Sequence, residues 1–227
     1  IKYASHRDAC ILSYYAHQIN QALDTRYKLV DISDNVIAYR ALGRANYDFA
    51  AEAMTYAQAE APVTILAFDI TSFFDTLDHG LLKGRLKSLL AVHELSDDWY
   101  KVFRSITRFH YVDLQELKAH PVFGPRLKEK SHASVASMAE LKAKGITFHP
   151  NPELAKGHCR GIPQGTPISA AVSNLYMMDF DAAAKACCDK AGALYRRYSD
   201  DILIICKPHD ASTIEAEVLR LIAAEQL

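Results

Sequence analysis

The chain lacks any apolar stretch approaching the roughly 20 residues of a membrane-spanning helix, and no basic, apolar, small-residue leader opens it. Both absences point to the cytoplasm. The cysteines Cys10, Cys159, Cys187, Cys188 and Cys206 make an odd count of 5 without a C-x-x-C pair, which argues against a disulfide framework and against a zinc ribbon. Their thiols are expected to be reduced. No sign of charge dominates: a formal net charge of −1 leaves any nucleic-acid surface to local clusters of Lys and Arg. Internal repeats, low-complexity tracts and interdomain linkers are missing as well. What is present is 227 residues, 50% of them hydrophobic, enough to bury one large core or two small ones. The chain begins at Ile1 rather than Met and stops at Leu227 inside an expected helix, so it reads as a piece of a longer protein.

The densest chemistry lies in Tyr195-Arg196-Arg197-Tyr198-Ser199-Asp200-Asp201-Ile202-Leu203-Ile204-Ile205-Cys206. Two β-branched and aromatic runs flank an acidic pair, which predicts a hairpin with Asp200 and Asp201 at its tip. Adjacent carboxylates repel and raise each other's pKa unless a cation joins them, and hard oxygen ligands on a turn suit Mg²⁺. Taken alone, Ser-Asp-Asp is also ordinary turn chemistry.

Earlier in the chain, Val63-Thr64-Ile65-Leu66-Ala67-Phe68-Asp69-Ile70 reads as an almost wholly apolar strand, expected to be buried on both faces. Asp69 within it would then need a partner, a proton or a metal. Asp78 is placed to cap a helix carrying Leu82, Leu86 and Leu89. Before the strand, a helix is expected from His6 to Leu23 and another near Asn46, with extended chain from Val36 to Arg44 between them. Arg40 and Arg44 flank that connection, and a guanidinium fork there is either solvated or ready for a phosphate. From Trp99 to His158 the pattern weakens to a short helix around Val102 to Thr107. Basic, His-bearing loops follow, in which Lys128, Lys130, Lys142, Lys144, Lys156, His132, His149 and His158 match no metal spacing and read as surface. Arg160-Gly161-Ile162-Pro163-Gln164-Gly165-Thr166-Pro167-Ile168-Ser169 reads as a loop ahead of one long helix reaching about Lys190. In it Gly165 permits close backbone approach and Gln164 offers both a donor and an acceptor. Ser212-x-x-Glu215 reads as a capping box opening a last helix.

In order, these pieces are a strand ending Phe-Asp-Ile-x-x-Phe-Phe-Asp, a Pro-Gln-Gly loop opening a helix, and a Tyr-x-Asp-Asp hairpin. The combination resembles the palm of reverse transcriptases, over roughly residues 36–206. Within them it is most similar to the bacterial group of intron, retron and antiphage-defence enzymes. Ala38-Tyr39-Arg40, Asp48-Phe49-Ala50, Ser72 to His79 and Tyr100 to Thr107 look most like the defence-associated or unassigned members. Ser199 stands where Ala or Met is commoner, a change expected to leave the turn undisturbed.

The resemblance implies an α+β fold, a right-handed fingers and palm with an antiparallel palm sheet backed by helices; the thumb is expected to be absent, since the chain stops one helix after the acidic hairpin. Residues 1–61 would be fingers and 62–227 palm, with a finger-like insertion at about 105–160. It implies a polymerase adding dNTPs to a DNA or RNA primer on an RNA template, in antiviral defence, with a dedicated non-coding RNA as a candidate partner. Two Mg²⁺ ions, or Mn²⁺ in their place, roughly 3.5–4 Å apart would clamp the attacking and leaving oxygens. Asp69 and Asp200 would bridge them, with Asp201 as third carboxylate and the Ile70 carbonyl as a further ligand. Arg40 and Arg44 would hold the triphosphate, Gln164 and Gly165 would line the nucleotide pocket, and Tyr198 would support the primer end. Phe74 would lie beneath the sugar. Phe73 joins the nucleotide-binding set, although its ring reads as core. Two rivals remain: an RNA-dependent RNA polymerase with the same metal logic, and a catalytically silent nucleic-acid-binding palm.

Overall fold

The computed structural model describes residue 2, residues 4–129 and residues 135–227. Lys130 and His132 lie outside the described residues. The elements in chain order are α1 (His6–Leu29), α2 (Asn46–Ala59), β1 (Thr64–Asp69), α3 (Phe73–Thr76), α4 (His79–Leu89) and α5 (Asp97–Thr107). Next come β2 (His110–Tyr111), α6 (Leu114–Ala119), α7 (Phe123–Lys128), α8 (Met138–Ala143), β3 (His149–Pro150) and α9 (Pro152–Ala155). The chain finishes with α10 (Ser169–Tyr176), α11 (Met178–Lys190), β4 (Leu194–Tyr198), β5 (Asp201–Cys206) and α12 (Ala211–Ala224).

The sheet that matters has the order β1-β5-β4, antiparallel throughout. Strand alternation sends Tyr195, Arg197, Ile202 and Ile204 to one face, where all four are buried. Against that side pack α11 on β4 and α12 on β1, with α12 also on α11 and α1 on α10. The fit of α12 follows from its period: Ile214, Val218 and Leu221 share a stripe and are buried, each worth about 1.5–3 kcal/mol. The other face of the sheet is only partly covered. There α2 lies across β4, tied by the Glu52–Arg196 ion pair at 2.5 Å and by the Tyr56 hydroxyl donating to the Gly192 carbonyl at 2.6 Å.

Several expectations need correcting. β1 is not buried on both faces. It is an edge strand, helices cover one side of it only, and its residues alternate, leaving Ile65 54% exposed and Ala67 and Asp69 exposed with it. Residues 36–44 do not form a strand. Val36 bridges Arg197 in parallel, and Tyr39, at φ +61°, then turns the chain. The helix after the Pro-Gln-Gly loop is interrupted at Met177, where the Tyr176 carbonyl accepts from the Arg85 guanidinium in place of a helical amide. Ser212 is not a cap: α12 already begins at Ala211, after Asp210, with no side-chain cap bond. By contrast, Asp78 caps α4 as expected, its carboxylate accepting from the Leu81 amide at 2.8 Å.

Candidate active site

The register of β1 against β5 runs from Thr64 opposite Cys206 to Asp69 opposite Asp201. Residues far apart in sequence therefore become direct cross-strand neighbours on the open face, where side chains stand about 4.5–5.5 Å apart at Cβ. Asp200 is next along, in the two-residue turn Ser199-Asp200 that links Tyr198 to Asp201. Like charges directly opposite one another destabilise a sheet, yet among the described residues no Lys, Arg or His forms an ion pair with any of the three carboxylates. Partial burial lifts the Asp201 carboxyl above its ordinary pKa, and the charges of Asp200 and Asp69 lift it further. Ile70, just beyond β1, is buried.

The donor chemistry fits a hard divalent cation: three carboxylates, all oxygen, at one end of a rigid sheet. As they stand, no three His, Cys, Asp or Glu side chains among the described residues form a group that could hold a metal ion. Mg²⁺ does not need a closed protein cage, since it keeps several waters and takes one or two carboxylates plus substrate phosphates.

A cleft of about 460 Å³ opens beside the carboxylates, between α2 and the open sheet face. Phe49 and Ala50 line its helix side, Ala67, Asp201 and Leu203 its floor, and Tyr198 its rim. The Tyr198 ring lies 6.3 Å from that of Tyr39, and its hydroxyl is 3.5 Å from the Asn46 amide nitrogen.

Beyond β1, Ser72 adopts φ +56° and the chain coils into α3. Phe73 and Phe74 meet edge to face at 5.4 Å and are 2% and 9% exposed, so both rings are buried. The Pro-Gln-Gly loop is fastened to this turn: the Ile162 amide donates to the Phe74 carbonyl at 2.8 Å and the Gly161 amide to that of Leu77 at 2.9 Å. Gly161 itself needs φ +89°, and its carbonyl accepts from His79 Nε2 at 2.8 Å. Burial lowers the His79 pKa, the Gly161 carbonyl opposing that shift. Gln164 and Gly165 project from the fastened loop and are exposed.

The two arginines are occupied elsewhere. Arg40, its side chain 6% exposed, donates to Asp24 at 2.9 Å and to the Val36 carbonyl at 2.8 Å, and stacks over Tyr27 at 4.8 Å. Arg44 pairs with Glu52 at 2.6 Å over the Phe49 ring at 4.2 Å. The structure thus gathers Asp69, Asp200, Asp201 and Tyr198, ties Phe74 to the Gln164 loop, and leaves the Arg40 guanidinium holding its own segment in place.

Sequence reasoning missed the group directly behind the hairpin. Arg197 and Asp181 are both 0% exposed and form a two-pronged ion pair, Nε to Oδ1 and Nη2 to Oδ2, each at 2.7 Å. The Tyr195 hydroxyl donates to the same carboxylate at 2.6 Å. Burial and the Asp181 charge both push the Tyr195 pKa up. Burial opposes the Arg197 charge, but Asp181 outweighs it and the guanidinium pKa is raised. A signal existed: two-residue periodicity puts Arg197 on the same inward face as Tyr195, where a cation needs a buried partner.

A family model described as reverse transcriptase (RNA-dependent DNA polymerase) matches residues 2–225. No curated protein matches the sequence. Among solved structures, the chain is similar to apo telomerase from Candida tropicalis truncated of its C-terminal domain, with TM-score 0.58 and 13% identity over 91% of this chain and 36% of that one. It is also similar to apo telomerase from Candida tropicalis, with TM-score 0.53 and 14% identity over 90% and 33%. Telomerase from Candida albicans, in complex with a fragment of telomeric RNA, gives TM-score 0.52 and 15% identity over 93% and 32%. At these identities the likeness is one of fold, and the chain spans about a third of the length of those structures.

Proposed function

Because the chain belongs to the reverse transcriptase (RNA-dependent DNA polymerase) family, we propose that it adds deoxynucleotides to a primer 3′ end on an RNA template. The observation that carries this reading is the placement of Asp69 opposite Asp201, with Asp200 in the adjoining turn and no cation paired to any of them among the described residues. Asp69 and Asp200, supported by Asp201 and the Ile70 carbonyl, would hold two Mg²⁺ ions or Mn²⁺ in their place. When bound, such ions stabilise charge on the transferred phosphoryl group and on the attacking and leaving oxygens. The primer 3′ oxygen bonds to the α-phosphorus as the bond to pyrophosphate breaks, and the hydroxyl proton leaves to solvent or a nearby base.

The chain's own residues position the reactants. Gln164 and Gly165, on a loop fastened to α3 through Ile162, line the nucleotide pocket, and Phe74 sits beneath the sugar. Tyr198, at the cleft rim, supports the primer end. Arg44 reaches the triphosphate only by leaving Glu52, and Arg40 acts by fixing residues 33–40. In this reading residues 1–61 are fingers and residues 62–227 palm, with an insertion at about 105–160. The setting is the bacterial cytoplasm, in defence against phage with a dedicated non-coding RNA, a reading carried by Ala38-Tyr39-Arg40 and Tyr100 to Thr107 and tested by the gene's neighbours. Among the described residues no helix is long and apolar enough to cross a membrane.

Primer extension tests the function. The purified protein should extend a primer on an RNA template with dNTPs and Mg²⁺, and EDTA should stop it. Extension only with rNTPs would identify an RNA polymerase, and binding without extension a silent palm.

A further inference from the structure

We propose that Arg197 and Asp181 are positioning residues whose buried ion pair holds the Ser199 carbonyl, and through it the Asp200–Asp201 end of the hairpin, in the geometry that nucleotide addition requires. This rests on the polymerase reading above.

Two-residue hairpin turns require left-handed backbone, which Gly, Asn and Asp adopt most readily. Here the first turn residue is Ser199, at φ +60° and 3% exposed. A non-glycine residue there is strained, and the adjoining carboxylates of Asp200, Asp201 and Asp69 repel one another. A turn so composed needs an external hold, and two are visible. Arg197 Nη1 donates to the Ser199 carbonyl at 2.7 Å, and the Tyr39 hydroxyl donates to Ser199 Oγ at 3.2 Å.

The guanidinium is in turn immobilised. Asp181, on α11, takes Nε and Nη2, and Asn174 Oδ1, on α10, accepts from Nη2 at 3.2 Å. Asn174 Nδ2 donates to the Ala38 carbonyl at 3.0 Å, and Asn35 Nδ2 donates to the Tyr195 carbonyl at 2.9 Å. The acidic turn is thereby linked to two helices and to the segment carrying Tyr39. A buried ion pair is seldom needed for stability, since apolar or neutral replacements of the whole pair are often tolerated. Its five-donor planar fork, by contrast, takes both carboxylate oxygens side by side and a backbone carbonyl as well, a fixed geometry that neither the compact ammonium of Lys nor the two donors of an amide reproduce.

The test uses the double variant Arg197→Gln/Asp181→Asn, which removes both buried charges together, with Arg197→Lys as a second variant that keeps the charge but not the fork. Four quantities are compared with the unsubstituted protein: melting temperature, Mn²⁺ affinity from electron paramagnetic resonance without nucleotide, and kcat and KM for dNTP incorporation. A folded variant is expected to lose about 10- to 100-fold in Mn²⁺ affinity and in kcat, the range seen when supports behind metal ligands are removed. KM for dNTP should change less than kcat. Mn²⁺ affinity and kcat both within about 2-fold of the unsubstituted protein, in either folded variant, would overturn the proposal. Should the unsubstituted protein bind Mn²⁺ but extend no primer, the polymerase reading fails, while the Mn²⁺ affinities still decide whether this pair positions the carboxylates.

Discussion

Asp181 and the group Asp69, Asp200 and Asp201 lie on opposite sides of the same hairpin and meet opposite electrostatic fates. Asp181 is sealed from water with a cation gripping both its oxygens and a tyrosine hydroxyl on one of them. Asp69 and Asp201 face the open side of the sheet with Asp200 in the adjoining turn, and none of the three has a cationic partner among the described residues; partial burial, and then the charges of Asp200 and Asp69, raise the Asp201 pKa. The chain thus neutralises the carboxylate it buries and leaves uncompensated those it presents. That asymmetry separates a charge neutralised inside the protein from charges that, on the function proposed above, would be met by an external cation. From the buried side, the Arg197 guanidinium also donates to the Ser199 carbonyl of the acidic turn.

The largest effect is expected at the buried ion pair. Asp181→Ala leaves the Arg197 guanidinium buried without a counter-charge, and should destabilise the fold by about 3–5 kcal/mol. Thermal or urea unfolding checks this, and a loss below about 1 kcal/mol would mean that water reaches Arg197.

A smaller effect, expected in specificity, separates the two phenylalanines. Phe74→Ala should improve rNTP use relative to dNTP by about 1–3 kcal/mol, through removal of a clash with the 2′-hydroxyl. Phe73→Ala should destabilise by about 3–5 kcal/mol without moving that ratio. Matched dNTP and rNTP incorporation efficiencies in both variants decide it, and an unchanged ratio in folded Phe74→Ala removes the gate.

How much of this was legible in the sequence depends on the range of the interactions. Local periodicity located β1, the hairpin and α4 with its Asp78 cap, because these are decided by neighbours along the chain. The coverage of β1 was misread, since Ile65 and Ala67 look equally apolar whether a helix packs over them or an open cleft does. The break at Met177 coincides with a contact from Arg85, 91 residues away, to the Tyr176 carbonyl, which helical periodicity does not encode. Arg40 and Arg44 are visible as arginines near a turn, but their partners Asp24 and Glu52 become neighbours only through the fold. The three carboxylates were legible as a set through their motifs. That Asp69 faces Asp201 was not, because strand register is a tertiary fact.

The smallest expected effect sharpens the uncompensated half. A carboxyl whose folded pKa is raised holds its proton more tightly in the native state than in the unfolded one. Stability without metal is therefore lost as pH rises from the ordinary carboxylate pKa, about 3.9, through the raised Asp201 value, and stays lower above it. Asp201→Asn should flatten that dependence and stabilise the metal-free protein at neutral pH by about 0.5 kcal/mol or less, solvent screening keeping it small. Urea unfolding across pH 3–7 measures it, and destabilisation by the substitution would show that Asp201 has a cationic partner.

The most direct test of the central claim, that these carboxylates hold the metal for nucleotide addition, is Mg²⁺-dependent primer extension by Asp200→Asn beside the unsubstituted protein. The account predicts a loss of about 10³-fold or more in incorporation, equivalent to the several kcal/mol a bound metal supplies, with melting temperature unchanged or slightly higher. Near-normal Mg²⁺-dependent synthesis by the folded variant would contradict it.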